Sequence, residues 1–227
     1  MDGKIKEILK ELKNKGSEKN KQGMKRFGIN VETAFGTNVY LTRKIAKKYK
    51  KEHSLALELW KTNIHEARML AGFIDDPKKV SEQQMELWVK DFNSWDLCDQ
   101  VCSNLFDKTA FAWKKAVEWT ERKKEFEKRA GFVLMCALAV HDKKAKDKEF
   151  EKFFSLIKKH SVDERNFVKK AVNWALRQIG KRNKKLNRKC ISLAKEIKKI
   201  DSKSAKWIAS DTLRELESEK VQERLKE

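Results

Sequence analysis

The stretch Asn93-Ser94-Trp95-Asp96-Leu97-Cys98-Asp99-Gln100-Val101 sets an indole and a carboxylate at helical spacing. With Ser94 as the helix N-cap, Trp95 and Asp99 lie four residues apart and project from one face. Leu97, Val101 and Leu105 fall on a different face, the one expected to pack. A second aromatic-basic face comprises Lys170, Trp174 and Arg177 at i, i+4 and i+7, with Val172, Leu176 and Ile179 on its core side. A carboxylate beside cations that hold phosphates can stabilise positive charge developing on a deoxyribose ring. Indole faces attract cations by about 0.5 to 2 kcal/mol, depending on desolvation. Together these groups suit an N-alkylated purine, which already carries positive charge and whose glycosidic bond breaks through an oxocarbenium-like sugar. The same carboxylate can orient the attacking water. Each residue taken alone also has a plainer role, Trp as a semi-buried strut and Asp as a cap or surface carboxylate, so spacing leaves both open.

Other chemistry is poorly represented. Cys98 and Cys102 stand at i, i+4, but no His or further Cys is spaced to complete a zinc site. His53, His65, His141 and His160 are scattered and pair with no evident nucleophile. The chain lacks a Gly-rich phosphate loop and a Gly-x-Ser-x-Gly elbow, which argues against nucleotide hydrolysis and serine-hydrolase chemistry. No metal and no cofactor are expected. Trp60, Trp88 and Trp113 read as packing residues.

The elements that must position these residues are helical. The 227 residues include 1 Pro and 8 Gly, five of those Gly within the first 36 positions, so the turn punctuation of a sandwich or barrel is missing. Stripes at spacings of three and four recur, as in Ile5, Leu9 and Leu12, in Ile45 and Tyr49, and in Ala67, Leu70 and Ile74. Ser81 with Gln84 and Ser161 with Glu164 read as capping boxes, and Asp107, Asp147 and Asp201 as caps. About a dozen helices in a single domain spanning 1–227 follow from these signals. Ala175-Leu176-Arg177 matches Thr212-Leu213-Arg214 at an offset of 37, and Arg129-Ala130 matches Lys170-Ala171 at 41. Such offsets suit paired-helix repeats of the HEAT kind, whose period is about 40. The fold expected is an all-α, HEAT-like solenoid with a concave basic groove, an irregular helical bundle being the alternative. Arg129 should sit at its rim, just ahead of the apolar helix Gly131–Val140.

Charge points to a polyanion. The chain has 54 Lys and Arg against 34 Asp and Glu, a formal net charge of +20. Arg43, Lys44, Lys47, Lys48, Lys50 and Lys51 form one single-sign block, and Lys181, Arg182, Lys184, Lys185, Arg188 and Lys189 a second. The longest apolar run, Ala130 to Val140, is shorter than the roughly 18 residues a bilayer crossing takes. An amino terminus without an apolar signal core and four cysteines without framework spacing suggest a cytoplasmic, reducing setting with free thiols.

Three motifs carry a family resemblance. Ser-Trp-Asp-Leu-Cys-Asp at 94–99, Lys-Arg-Ala-Gly-Phe at 128–132 and Val-Lys-Lys-Ala-Val-Asn-Trp-Ala-Leu-Arg at 168–177 resemble the AlkD-type bacterial DNA alkylation repair proteins. Phe35-Gly-Thr-Asn-Val-Tyr-Leu-Thr-Arg-Lys-Ile-Ala-Lys-Lys-Tyr49 is similar to that family's early helices, and the likeness runs over roughly 24–216 with motif order kept. The resemblance implies a HEAT-like glycosylase that excises cationic N3- or N7-alkylpurines from duplex DNA; a monomer, cytoplasmic and associated with the nucleoid, is expected. It implies Asp99 as the catalytic carboxylate, Trp95 and Trp174 against the lesion deoxyribose, and Arg129 on the DNA backbone. Lys170, Arg177, Lys181 and Arg182 would join Arg129 as DNA-binding residues. One departure matters: the family often has a cleft-lining Tyr before a Met-Lys pair, where Gly23 precedes Met24-Lys25, with Phe27 the nearest aromatic. Some relatives keep the fold without the activity, so the competing expectation is a non-enzymatic module that binds damaged or branched DNA. A protein-binding scaffold is a third, and would show little dependence of DNA affinity on salt.

Overall fold

The computed structural model describes residues 2–225, and every regular element among them is a helix. The chain divides into two compact units, Met1–Phe111 and Ala112–Glu227. The first unit holds α1 (Asp2–Lys15), α2 (Glu18–Arg26), α3 (Val39–Ala46), α4 (His53–Lys61), α5 (His65–Ile74), α6 (Glu82–Lys90) and α7 (Trp95–Asn104), closed by a 3-10 turn at Phe106–Lys108. The second holds α8 (Ala112–Glu118), a 3-10 turn at Trp119–Glu121, α9 (Glu125–His141), α10 (Asp147–Glu151) and α11 (Phe154–His160). It continues with α12 (Asn166–Gly180), α13 (Lys184–Lys198), α14 (Lys203–Leu216) and α15 (Glu219–Arg224). Among the described residues no helix is long and apolar enough to cross a membrane.

Polar side chains start several of these helices by accepting an orphan amide of the first turn. Ser17 takes the Asn20 N–H, Asn38 that of Leu41, Ser81 that of Gln84, Asn183 that of Leu186 and Ser202 that of Ala205. Gln84 completes no reciprocal box, because its side-chain amide donates to Asp75 at 2.7 Å. The box expected at Ser161 and Glu164 does not form. Ser161 instead ends α11 and donates its hydroxyl to the Lys158 carbonyl, while Glu164 accepts from Ser202 and the Ser204 amide. Asp107 and Asp147 lie inside helical turns, and Ser202 does the capping expected of Asp201.

In the second unit α9 is the central element, buried from Arg129 through Ala139 and packed on α8 and α12. It extends four residues before Arg129, so that side chain lies within the helix rather than ahead of it. Gly131 lets α9 approach the preceding turn, since a Cβ there would sit 2.8 Å from the Thr120 nitrogen. One separation recurs among the bonds between helix layers: Asn173 to Asp211, Lys158 to Glu196 and Lys189 to Glu151 each span 38 residues, while others differ, 34 for Lys181 to Glu215 and 43 for Arg182 to Ala139. The repeat read at 37 and 41 thus shows in these bonds as a recurring separation of 38.

The first unit runs on a shorter register. Phe35 to Glu66, Trp60 to Asp91 and His65 to Asp96 each span 31 residues. Trp60 and Trp88 stack at 3.9 Å and are nearly fully buried, the packing role expected of them. Glu66, fully buried at the start of α5, accepts the backbone amides of Phe35 (2.9 Å), Gly36 (2.7 Å) and Thr37 (3.0 Å). Gly36 can turn there because its φ is +82°, and a Cβ would collide with the Ser17 carbonyl. Removing the carboxylate strands three donors, so Glu66→Ala should cost about 3 kcal/mol or more and lower the first thermal transition by roughly 6–12 °C. A loss below about 1 kcal/mol in urea unfolding would mean that water already serves these amides.

Candidate functional site

The site in the first unit is built on α7. Its entry is fixed by Asp96, whose carboxylate accepts the Ser94 hydroxyl at 2.7 Å and contacts the His65 ring at 2.9 Å. Ser94 therefore holds the N-cap position by its backbone alone, with its hydroxyl turned to Asp96 instead of to the helix amides. Leu97, Val101 and Leu105 are buried as expected, which turns Trp95 and Asp99 toward the surface as half-buried side chains. The Trp95 indole is anchored, its Nε1–H donating to the Phe27 carbonyl at 2.9 Å. Phe27 ends α2 and leaves its ring 72% exposed. Asp99 stands close enough to Cys102 that, after burial and the Cys98 hydrogen bond, its charge helps push that thiol well up.

Beside this pair lies the face of α3. Arg43 donates to Gln100 Oε1 at 2.7 Å, one residue past Asp99, and its guanidinium rests 4.9 Å from the centre of the Phe73 ring. Lys44 on the same helix and Lys47 at its C-cap are exposed and have no acidic partner among the described residues. Gly23 lies in α2, where a Cβ would meet nothing within 4 Å, so the position expected to carry an aromatic has room for one.

In the second unit the expected cations have varied surroundings. Lys170 is exposed and Trp174 half-buried on the outward side of α12, with Val172, Leu176 and Ile179 in the core. Arg177 bonds Glu215 and lies 3.5 Å from Asp211, while Lys181 donates to Glu215 at 2.6 Å. Burial alone would raise the Glu215 pKa, but Lys181 and Arg177 outweigh it and hold the carboxyl below its ordinary range. Arg182 donates to the Ala139 and Ala145 carbonyls and covers the Phe150 ring at 4.1 Å; burial pulls its pKa down. Arg129 is 5% exposed and donates to the Phe167 carbonyl at 2.6 Å, which ties α9 to the start of α12. Of these five, Lys170 keeps its charge in solvent with no partner among the described residues. Lys181 and Arg182 also border a cleft of about 670 Å³ with Lys143, Asn183 and Arg224.

Sequence reasoning passed over His65, Asp96, Glu66 and Arg43 as site-forming residues. The 31-residue spacing of 35/66 and 65/96 was the available signal, hidden because the partners are a backbone amide and a charge pair rather than similar residue types. Among the described residues no cluster of three or more His, Cys, Asp and Glu side chains could hold a metal ion, and the four cysteines are buried thiols outside any disulfide.

The family described as DNA alkylation repair enzyme matches residues 8–213. A solved structure, described as a new family of proteins related to the HEAT-like repeat DNA glycosylases with affinity for branched DNA structures, is 24% identical to this chain. The alignment covers 93% of this chain and 94% of that one, with a TM-score of 0.77. The fold is accordingly that of HEAT-like helical repeats. No curated protein matches the chain.

The His65–Asp96 pair gives the site a pH signature. Burial opposes charge on His65, but the Asp96 hydrogen bond and charge prevail and raise its pKa above 6.5. Burial likewise opposes the Asp96 anion, and His65 with Ser94 overrides it to lower that pKa below 3.8. A raised His contributes stability below its unfolded pKa and loses it as pH climbs through the folded value; a lowered Asp loses its share as pH falls through its own. The unfolding free-energy gap between wild type and Asp96→Asn should be widest at about pH 5 to 6 and shrink toward about pH 9. A gap that stays flat over that range would show His65 to be neutral in the folded protein.

Proposed function

The chain belongs to the DNA alkylation repair enzyme family, and we propose that it is a glycosylase that hydrolyses the N-glycosidic bond of cationic N3- or N7-alkylpurines in duplex DNA. The observation that carries this reading is the pair on α7: an indole tied down through the Phe27 carbonyl and, one turn later, the half-buried carboxylate of Asp99. As the bond from C1′ to the base breaks, the electron pair leaves with the purine and cancels its positive charge. The positive charge then falls on the sugar, where the Asp99 carboxylate stabilises it and aims a water at C1′. Trp95 cannot rotate away without losing its hydrogen bond, so its ring is preorganised against the lesion deoxyribose. Trp174 is the second indole proposed to contact DNA. Phosphate contacts fall to the cations without internal partners, Lys44 and Lys47 of α3 and Lys170 of α12, and to Arg43, which an uncharged Gln and a ring hold in place. Arg129, Arg177, Lys181 and Arg182 then act mainly by fixing the shape of the helices that carry Trp174.

A second reading has two observations behind it. Gly23 leaves open the place where the family often has a Tyr, and the similar solved structure is described as having affinity for branched DNA. On that reading the chain binds branched DNA without chemistry, and Asp99 is dispensable.

Release of free base from methylated duplex DNA separates the two. Asp99→Asn should lower the single-turnover rate by about 100-fold or more with duplex affinity kept; equal release by both proteins would remove Asp99 from the chemistry, and no release above the spontaneous rate, with salt-sensitive duplex binding retained, would establish the binding module. The cations can be sorted independently. Arg43→Ala, Lys44→Ala and Lys47→Ala should each reduce the slope of log affinity against log salt by about one unit. Arg182→Ala should leave that slope unchanged and lower thermal stability instead.

A further inference from the structure

Helix α14 repeats the spacing that marks α7: Trp207 precedes Asp211 by four residues, as Trp95 precedes Asp99. The surroundings of the two members differ. Asp211 is a structural carboxylate, its side chain 14% exposed, accepting Asn173 Nδ2 at 2.7 Å, bonded to Arg214 and 3.5 Å from Arg177. Three partners leave it no part in a reaction. Trp207 is the opposite case. It is 40% exposed, the one Trp in the exposed class among the described residues, although burying such a ring is ordinarily favourable.

Trp207 lies next to α12. Asn173 to Asp211 and Arg177 to Glu215 form successive rungs between the two helices at a separation of 38 residues. Lys169 and Trp207 make the rung before them, with the ammonium 5.7 Å from the ring centre. Lys203 stands one turn before Trp207 on α14 and Lys170 follows Lys169 on α12. Both are exposed, and neither they nor Lys169 has an acidic partner among the described residues. Lys206 is already paired with Asp201 at 2.7 Å. An exposed indole with one lysine against its ring and two more exposed on the same two helices has the make-up of a platform for single-stranded nucleic acid, where base faces stack and phosphates are neutralised. A fully paired duplex offers phosphates to the lysines but no free base face to the ring.

We propose that Trp207, with Lys169, Lys170 and Lys203, is a stacking site for an unpaired nucleobase of single-stranded DNA. This rests on the reading that the chain binds DNA and is independent of whether Asp99 does chemistry. The full-length protein is tested against a blunt duplex and against the same duplex bearing a single-stranded oligothymidine arm. Wild type should prefer the armed duplex, and Trp207→Ala should lose about fivefold or more of that preference. Blunt-duplex affinity and Asp99-dependent base release should stay within about twofold in the same variant. Trp207→Phe, which keeps an aromatic face, should retain much of the preference. A 5-iododeoxyuridine placed in the arm should cross-link to α14. The proposal is overturned if wild type shows no preference, if the preference survives in Trp207→Ala, or if both DNAs weaken equally, which would mark a duplex contact. Failure of salt-sensitive binding to the blunt duplex would instead remove the DNA-binding reading itself.

Discussion

A polar side chain buried between stacked helix layers must find its partner one repeat away, because water cannot reach it there and an unpaired buried group costs about 1–3 kcal/mol. That constraint organises each unit of this chain. In the first, the fully buried Glu66 is satisfied by three consecutive amides of the segment before α3. In the second, Asn173, Arg177 and Lys181 on α12 find Asp211 and Glu215 on α14. Each bond works only if the next layer sits at one fixed register, so apolar packing supplies cohesion and the polar pairs select one alignment. A separation of 31 residues recurs among polar partners in the first unit and one of 38 in the second.

The constraint also decides which charges are available for function. A surplus of twenty positive charges suggests cations everywhere, yet several of those nearest the aromatic residues are consumed internally. Arg129 and Arg182 hold backbone carbonyls, and Arg177 and Lys181 hold a carboxylate. Arg43 is different. Its partners, an amide and a ring, are uncharged too, but unlike the buried Arg129 and the half-buried Arg182 it is exposed, so its oriented charge faces solvent. An arginine held this way has paid part of its side-chain entropy before any phosphate arrives, and its fork is still free to bind one. Preorganisation with charge retained is what distinguishes a binding cation from a structural one.

Much of this was legible from residue types. Helical period, scarce Gly and Pro, and the matched stretches near 175 and 212 lead to a helical repeat, because burial at every third or fourth position leaves a pattern in the sequence. Trp95, Asp99 and the core side of α7 were legible for the same reason. What stayed hidden were interactions whose partner is not a side-chain pattern. Glu66 bonds to backbone, Trp95 to the carbonyl of Phe27, and Arg129 to that of Phe167. A carbonyl carries no residue signature, so no spacing rule could find it. Ser161 misleads for a related reason, and Ser94, though it is the N-cap, turns its hydroxyl elsewhere: a hydroxyl can serve a helix amide, a carboxylate or a carbonyl, and tertiary neighbours decide which.

The two Trp-x-x-x-Asp pairs carry this point furthest. Identical spacing on α7 and α14 places an indole and a carboxylate one turn apart in both, yet their fates diverge. On α14 the carboxylate is neutralised by Asn173, Arg177 and Arg214 while the indole is left in solvent. On α7 the indole is tied to a carbonyl, and the neighbouring Asp96, not Asp99, takes up the ion pair with His65. The same spacing thus gives two assignments: on α14 the arginine contacts fall to Asp211, the carboxylate of the pair itself, whereas on α7 the contact with His65 falls to Asp96, three residues before Asp99.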